Sequence, residues 1–458
     1  MLSLSDGSRH SRREPSKEEN LAVQPSSTGT TIGVEDLPVF LTEIELSEPL
    51  PAVTAQPVDG VVGKKMRALV RLRYQPIGYV ILPTPSVSPE TVATSIWDQL
   101  CDQIRAYFVD QAESPPESLS PAGLGRDRST EPTDLPFMSV VVATRDRPEK
   151  VGRVLATLAA LDYPSFEVVV VENGPSNERT RSAVAATGDD RFRYVHEQVP
   201  GTSRGRNRGI YESSGEIVVF VDDDVRVDGW YLRAIAQGFR RADNVGCVTG
   251  MVSPVALNTV AELYVDQRLA WAASLKPRTF DLRKHRDDSA LYPYSAGIFG
   301  TGGNCALRRA ALDRIGGFDE ALGPGTRSGG GEDLDIFLRV VRVGYSLVRE
   351  PAAIVHHEHY KELSVLHRQM FSYGRGFTAY LTKHLLRPRT AIDIVSRIPR
   401  GIAPIMKAKN GAKALGVVPP SIAGREFRGM FFGPFAYLES AYRLHRSVRA
   451  GKHPDLFA

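Results

Sequence analysis

Three short runs of β-branched and aromatic residues are the sequence feature that most constrains the fold. They cover residues 137–143, 166–171 and 217–221 and are almost wholly apolar. Strands that helices bury on both faces have this composition, whereas a strand with one wet face alternates polar and apolar residues. Helical apolar spacing separates the first two runs, at Val151, Val154, Leu155, Leu158 and Leu161. Strands that alternate with helices predict βαβ units and an α/β fold with a parallel sheet.

Composition and charge exclude several other classes of protein. The chain has 458 residues, of which 42% are hydrophobic and 24% charged, an ordinary globular composition. Lys and Arg number 57 against 53 Asp and Glu, a formal net charge of +4. We expect no nucleic-acid partner, because a dedicated nucleic-acid-binding protein normally carries a strong basic excess. The three cysteines form no CxxC pair, which argues against a disulfide framework or a cysteine-rich zinc site and favours a reducing compartment.

The termini and linkers indicate several parts. Residues 1–36 are polar, lack the apolar core of a secretory signal, and are predicted to be disordered. Residues 37–110 predict a small α+β module, with a hairpin whose strands, 66–73 and 79–82, are joined through residues 75–78, and a helix that begins at Ser88-Pro89. This module has no catalytic constellation, so a docking or structural role is expected. The Pro- and Ser-rich residues 111–135 predict a linker before the α/β domain at 136–360.

Residues 361–458 predict a helical, basic C-terminal extension. Within it, residues 387–428 carry nine Lys or Arg against two acids, a net charge of +7, so the rest of the chain is acidic by −3. This segment is either a solvated helical face or an interfacial segment drawn to anionic lipid. No run of about 18 apolar residues occurs in the chain. We therefore expect a cytoplasmic protein, with possible peripheral contact at the cytoplasmic face of a membrane.

Acidic residues follow the predicted strands, where ligands bind on α/β sheets. Thr144 and Arg145 end the first strand, Glu172 follows the second, and Asp222-Asp223-Asp224 follow the strand at 217–221. Three carboxylates at one strand end repel one another and lose hydration, which a divalent cation relieves. Mg²⁺ or Mn²⁺ typically takes one or two carboxylates together with substrate phosphates. The alternative is a solvated acidic turn.

Two further clusters lie downstream. Glycines at 329–331 lead into Glu332-Asp333 at a helix start, where acids either interact favourably with the helix dipole or act as a general base. Asp335 and Arg339 are expected to form a structural i,i+4 pair. Three histidines at 356, 357 and 359 follow a predicted strand, with a spacing that matches no standard zinc pattern. Each is either a metal ligand or a local hydrogen-bonding group.

Residues 136–360 resemble a family 2 glycosyltransferase with the GT-A fold, in which an opening strand, an acidic second-strand end and an Asp-x-Asp element occur in this order. The resemblance implies a Rossmann-like, mostly parallel sheet that binds a nucleotide-diphospho-sugar. It also implies transfer of the sugar to an acceptor hydroxyl with inversion, assisted by Mn²⁺ or Mg²⁺. The acceptor would be a carbohydrate, a lipid-linked sugar or another glycoconjugate, as in cell-envelope biosynthesis.

The same resemblance assigns site residues. It implies that Asp333 is the general base and that Glu332 orients the acceptor or the base. It places Asp224, Asp222 and His357 on the metal, with Asp222 nearer the ribose. In the stretch Gly205–Gly209 it places Arg206 near the base or the diphosphate, and it makes Asn304 part of the sugar pocket. The implied nucleotide-sugar contacts are Thr144, Arg145, Glu172, Arg206, Asn207, Asp222, Asp223 and Asn304.

Two other classes of function stay open. A sugar-phosphate nucleotidyltransferase would also place acids on an α/β sheet, but it usually needs a glycine-rich basic loop after its first strand, and residues 144–148 contain no glycine. A non-catalytic nucleotide-sugar-binding protein derived from such a fold would be expected to have lost Asp224 or Asp333. The sequence identifies neither the donor sugar nor the acceptor.

Overall fold

The computed structural model describes residues 32–58, 60–125, 133–268, 274–397, 420–453 and 456. Residues 1–31 of the predicted disordered segment lie outside these ranges. Its last residues, by contrast, are ordered: Val34–Asp36 forms a 3-10 helix, and the Asp36 carboxylate accepts hydrogen bonds from the Gly33 amide at 2.8 Å and from Lys65 at 2.9 Å. The last residues of this segment thus contact the N-terminal module, and the boundary near residue 36 stays a prediction.

The N-terminal module (residues 37–110) forms the α+β unit that its pattern predicts. Its elements are β1 (Val39–Glu45), β2 (Val53–Thr54), β3 (Lys65–Leu72), β4 (Gln75–Leu82), β5 (Ser86–Val87) and α1 (Pro89–Asp110). β1 pairs parallel to β3, β3 pairs antiparallel to β4, and β2 pairs with β5. Ser88 caps α1 and Pro89 occupies its first turn, as expected.

The hairpin turn between β3 and β4 lies at Arg73-Tyr74, whereas the sequence suggests residues 75–78. Both turn residues have positive φ, 50° and 64°, which is unusual for side chains of this size. Two contacts explain it. The Glu45 carboxylate accepts both turn amides at 2.8 Å, and the Tyr74 ring stacks on Trp230 with centroids 4.5 Å apart. These contacts depend on the folded chain, so local turn propensity missed the position.

The module is docked on the α/β domain. Arg67 makes a two-pronged ion pair with Asp266, at 2.9 and 3.1 Å. Leu69 packs with Met251 and Ile354 in a small buried cluster between the two parts. The predicted linker begins as an extension of the module, because the amide of Leu124 bonds back to the module and Leu119 is in its core. Residues 126–132 lie outside the described residues.

A mixed sheet forms the centre of the α/β domain. Its strands are β6 (Met138–Thr144), β7 (Phe166–Asn173), β8 (Phe192–Glu197), β9 (Ile217–Asp222), β10 (Val225–Val227), β11 (Val245–Pro254), β12 (Arg278–Phe280), β13 (Asn304–Arg308) and β14 (Ser346–His357). Their order is β10-β14-β11-β13-β9-β6-β7-β8, and β12 pairs with β14. β6, β7, β8, β9, β11 and β14 run in one direction; β10, β12 and β13 oppose them. The predicted mostly parallel α/β fold is confirmed.

Helices cover both faces of this sheet. They are α2 (Pro148–Ala159), α3 (Arg179–Ala185), α4 (Thr202–Glu212), α5 (Tyr231–Phe239), α6 (Val260–Arg268), α7 (Arg309–Ile315) and α8 (Glu332–Arg342). Because side chains alternate across a strand, Val140 of β6 packs in the core that α2 and α5 cover, while Val141 packs in the core that α4 and α8 cover. The carboxyl ends of β6, β7 and β9 lie together at one sheet edge.

Two long helices follow the sheet, α9 (Leu363–Leu385) and α10 (Pro420–Arg449). They cross closely, because a Cβ atom on Gly374 or Gly429 would lie 2.0 Å from a carbonyl oxygen of the other helix. Among the described helices, none combines the length and the apolar character that a bilayer crossing needs. Much of the basic stretch at 387–428 lies outside the described residues, which resume at residue 420.

Candidate active site

The first acidic cluster lies where β9 ends beside β6. Thr144 donates a hydrogen bond to one Asp223 oxygen at 2.6 Å, and Arg147 donates to the other at 2.9 Å. Asp223 is buried, and this burial raises the pKa of its carboxyl. Both carboxylate oxygens and the Thr144 hydroxyl are therefore used inside the protein. The contact of Thr144 and Asp223 with a nucleotide-sugar stays a prediction.

Asp224 has the opposite electrostatic setting. Lys150, in the first turn of α2, contacts its carboxylate at 3.0 Å, and the Nε2 atom of His357 lies 3.5 Å away. Burial alone would raise the pKa of Asp224, but the hydrogen bonds and charges of His357 and Lys150 outweigh burial and hold that pKa below its ordinary value. Asp224 thus stays ionised and can bind a cation.

The end of β14 selects among the three histidines. His357 faces the first acidic cluster, while the pleat sends His356 to the other side of the strand, where it lies 3.4 Å from Glu43 of the module. The Nδ1 atoms of His357 and His359 are 3.2 Å apart. Burial lowers the pKa of His359 to about 4, so this second ring is neutral near pH 7. The structure therefore brings His357 to Asp224, as predicted.

The donor atoms fit a hard divalent cation. A carboxylate and an imidazole nitrogen, 3.5 Å apart and open to further oxygen ligands, suit Mn²⁺ and, with more oxygens, Mg²⁺. One oxygen of Asp222, its Oδ1 atom, accepts a hydrogen bond from Arg206 at 3.0 Å. The geometry brings together two of the three predicted metal ligands. Asp222 as the third stays a prediction.

The second acidic cluster begins α8. Glu332 is buried and accepts a hydrogen bond from Arg206 at 3.2 Å. Burial, and then the neighbouring charge of Asp333, raise the pKa of Glu332 to about 7. Asp333 is half-buried, accepts from the Gly302 amide at 3.2 Å, and also has a raised pKa, chiefly from burial. The two acids interact closely, so the protonation state of each depends on that of the other.

Arg206 joins the two acidic clusters. Its guanidinium bonds Asp222 on one side and Glu332 on the other, and it lies 5.3 Å from the centre of the Phe318 ring. Arg206 is buried, so it is held in place by these contacts. Arg206 therefore links Asp222 to the acid pair Glu332 and Asp333. Its predicted position near the nucleotide-sugar stays a prediction.

Two predicted donor contacts involve asparagines whose side-chain amides are engaged inside the protein, and these contacts stay predictions. Asn207 is buried, and both its amide groups bond Phe318 backbone atoms, at 2.8 and 2.9 Å. Asn304 is fully buried: it donates to the Met251 carbonyl at 2.8 Å and accepts from Tyr231 at 2.9 Å. Asn304 pairs with Val221, so the pleat turns its side chain away from Asp222. Both asparagines fix the backbone and have no amide group free for a sugar.

The remaining two predicted contacts differ in exposure. Glu172 is fully buried and accepts from Thr180 at 2.5 Å and from Tyr194 at 3.0 Å. It also accepts from the Asp146 amide at 3.2 Å. Its place in the protein is therefore beneath the loop after β6, and nucleoside contact stays a prediction. Arg145 is largely exposed at the same loop and free to reach a ligand.

Several site residues escaped the sequence reasoning. Lys150 contacts Asp224, and its signal was a basic residue in the first turn after the opening strand. Tyr360 has a pKa raised by burial, with Tyr373 and then Asp224 among the charges that act on it. Tyr373 of α9 is half exposed, and the charge of Asp333 is among the causes that raise its pKa. Both phenols are therefore affected by the charge of the acidic clusters.

Comparison with known proteins agrees with this geometry. The model of the glycosyltransferase-like family 2 matches residues 136–376, and the chain belongs to this family. It is 25% identical over 266 residues to "Probable glycosyltransferase YdaM" of Bacillus subtilis, which covers 55% of this chain and 58% of that protein. It is 24% identical over 248 residues to the pre-mycofactocin glycosyltransferase of Mycobacterium tuberculosis, covering 54% and 48%. The chain thus spans about half the length of these curated relatives.

A solved structure is also similar, the mannosyltransferase PcManGT from Pyrobaculum calidifontis in complex with GDP-Man and Mn²⁺. It shares 20% sequence identity, covers 68% of this chain and 88% of its own, and has a TM-score of 0.43. The family match therefore carries the identification: this chain contains a family 2 glycosyltransferase domain, with the GT-A class of α/β fold.

Proposed function

We propose that the protein transfers a sugar from a nucleotide-diphospho-sugar to an acceptor hydroxyl, with inversion at the anomeric carbon. The observation that carries this proposal is the contrast between two acids, one in each acidic cluster. Asp224 is kept ionised by cationic neighbours, while Asp333 has a raised pKa. A glycosyl transfer needs both settings, one for the leaving diphosphate and one for the attacking hydroxyl.

Asp333 is the group we assign to the acceptor. A general base works best when its pKa lies near the working pH, and Asp333 is the member of the acid pair with partial exposure. It takes the hydroxyl proton as the oxygen attacks the anomeric carbon. Glu332, held by Arg206, lies directly beside it, so the protonation state of each acid depends on that of the other. One displacement of this kind inverts the configuration.

Asp224 and His357 are the residues that would hold the divalent cation. When bound, Mn²⁺ or Mg²⁺ supplies positive charge for the phosphates of the leaving nucleoside diphosphate. Lys150 and Arg147 lie on the same side and add two cationic groups for those phosphates. Arg206 bonds Asp222, the acid that we place nearest the ribose.

The acceptor and the location are finer points of the same proposal. We place the protein at the cytoplasmic face of a membrane, with a carbohydrate, a lipid-linked sugar or another glycoconjugate of the cell envelope as acceptor. The pre-mycofactocin glycosyltransferase, by its name, acts on pre-mycofactocin. For the present protein we propose that residues outside the central cleft select the acceptor.

One assay tests transfer against the alternatives. The protein is incubated with a panel of nucleotide-sugars and Mn²⁺, and free nucleoside diphosphate is measured with and without candidate acceptors. Acceptor-stimulated release supports glycosyl transfer. Release of pyrophosphate from a nucleoside triphosphate and a sugar phosphate would make it a nucleotidyltransferase. Saturable nucleotide-sugar binding without turnover across the panel would favour the non-catalytic alternative.

A further inference from the structure

Helix α10 has two apolar faces, of which α9 covers one. Gly429 and Gly433 lie against α9, where an added Cβ atom would come within 2.0 Å of its atoms, and Tyr437 is buried with Ala379 of that helix. On the other side, large apolar side chains are open to solvent: Phe427, Phe431 and Phe435 are 75, 69 and 66% exposed. A packed helix needs only the first face.

The exposed side chains form one continuous stripe. It comprises Phe427, Phe431, Phe435, Leu438 and Tyr442, here called the aromatic face. Successive members are separated by three or four residues, which places them above one another along a helix. Single exposed apolar residues are common on protein surfaces, but a continuous row of this size marks a binding surface.

Positive charge borders the aromatic face. Arg428 and Arg446 follow it on one side of the helix, about 60° from its centre by helical geometry, and neither makes an ion pair among the described residues. The two acids of α10 are occupied, since Glu426 pairs with Arg268 and Glu439 pairs with Arg443. The unpaired charge next to the aromatic face is therefore basic.

We propose that α10 lies flat in the surface of an anionic phospholipid bilayer, with the aromatic face among the acyl chains and the arginines at the lipid phosphates. A row of aromatic and leucine side chains bordered by arginines is the composition of an interfacial helix. A second copy of this chain would instead present the same basic border to an equally basic surface. Charge complementarity therefore favours lipid over self-association.

This surface is coupled to the acid pair through short contacts. The Ser440 hydroxyl of α10 accepts from the Arg327 amide at 3.1 Å, and Gly376 of α9 packs on Gly330, next to the start of α8. A docked α10 would thus hold the loop before Asp333 close to the lipid surface. This last step rests on the proposed function and favours a lipid-linked acceptor, whereas bilayer binding does not depend on it.

The test is co-sedimentation of the full chain with lipid vesicles, without nucleotide-sugar, so that binding is measured apart from turnover. We expect binding to phosphatidylcholine vesicles in which about a third of the lipid is phosphatidylglycerol, weakened by high salt. The triple variant Phe427→Ser/Phe431→Ser/Phe435→Ser should lose at least about tenfold in partitioning. Arg428→Gln/Arg446→Gln should lose about thirtyfold on anionic vesicles, as about 1 kcal/mol for each of the two arginines implies.

Matched controls separate this surface from general stickiness. Val109→Ser/Tyr211→Ser removes two apolar side chains that are 63 and 62% exposed elsewhere, and Arg179→Gln/Arg181→Gln removes two exposed arginines of α3. Both should bind vesicles as the wild type does. Wild-type protein that does not sediment with anionic vesicles, or a triple variant that binds equally well, overturns the proposal. So does a concentration-dependent dimer that the triple variant abolishes while vesicle binding is absent.

Discussion

The two acidic clusters contain the same residue types, but the pKa of Asp224 and the pKa values of the acid pair at the start of α8 shift in opposite directions. At the end of β9, Asp224 lies among Lys150, Arg147 and His357, and its pKa is below the ordinary value. At the start of α8, Glu332 and Asp333 share one buried arginine, and both pKa values are raised. The ratio of nearby cations to carboxylates differs, and the protonation behaviour follows it.

A third acid makes the comparison sharper. Asp335 lies only two residues after Asp333, yet Arg339, Lys383 and His384 all contact it, at 2.7, 2.8 and 3.0 Å. Although burial opposes ionisation, the charges of Arg339 and Lys383 and the hydrogen bonds from Lys383 and His384 hold the pKa of Asp335 well below its ordinary value. The predicted i,i+4 pair with Arg339 is present. Position on the helix therefore does not set the pKa; the facing elements do.

The largest effect is expected from removal of the base. Asp333→Asn should lower kcat by about 10³- to 10⁴-fold, because the amide cannot accept the acceptor proton. Nucleotide-sugar binding should change little, since Asp333 lies on the acceptor side. Nucleoside diphosphate release measures the first quantity and calorimetry the second. Activity within a few-fold of wild type would remove Asp333 from the mechanism.

Loss of the proposed metal ligand Asp224, or of the metal, should lower turnover nearly as much. Asp224→Ala, or treatment with a chelator, should reduce turnover by roughly a hundred- to a thousandfold, because the leaving diphosphate loses a stabilising charge. Added Mn²⁺ should restore the chelated wild type but not the variant. Glu178→Ala, at an exposed acid of the same domain, is the matched control. Full activity in the chelator would contradict metal dependence.

The acid pair predicts a pH profile near neutrality. The pair must lose a proton to act as base, so kcat/KM should rise with pH and level off above about 7, where Glu332 titrates. Glu332→Gln removes one of the two like charges, so it should move the midpoint of the remaining profile to lower pH. A midpoint near 4 in the wild type would mean that the raised pKa values have no kinetic role.

The smallest effect concerns stability. The pKa of Glu332 is raised in the folded state. Its protonated form therefore stabilises the fold fully at a pH below the ordinary pKa of glutamate, and this contribution is lost as pH rises through about 7. Glu332→Gln should therefore raise the free energy of unfolding at pH 8 by about 1 kcal/mol and change it little at pH 5.

Asp335→Asn is the contrasting variant. The pKa of Asp335 is lowered in the folded state, so its carboxylate stabilises the fold at a pH above the ordinary pKa of aspartate. This change should therefore lower the free energy of unfolding by about 3 kcal/mol at pH 8. Denaturant titration at the two pH values measures both variants. Equal responses of Glu332→Gln and Asp335→Asn to pH would refute the contrast between the acids.

Much of the fold could be predicted from the sequence. Apolar runs without polar alternation predicted β6, β7 and β9, because strands covered on both faces have no solvent-exposed side that would carry polar residues. Helical spacing predicted α2, and Ser88-Pro89 predicted the start of α1. The hairpin turn was missed, because Glu45 and Trp230, distant in sequence, stabilise the conformation of Arg73 and Tyr74.

The positions of the acidic residues in the site could be predicted from the sequence, whereas the contacts of its asparagine side chains could not. The position of Asp224 after a buried strand and of Asp333 after a glycine run indicated charge at a sheet edge. Asn207 and Asn304 match the family pattern in sequence, yet each satisfies its amide inside the protein. A side chain's direction depends on strand pairing and on the groups that face it, and no local pattern contains these.

The sequence by itself determined the α/β architecture, the family of the domain and the residue types of both acidic clusters, since periodicity and strand-end chemistry are local properties. Only the tertiary structure decided that Arg206 connects those clusters, that His357 and not His356 faces Asp224, and that one face of α10 stays uncovered. These outcomes depend on which elements meet in space, and burial and charge at those meetings set each pKa.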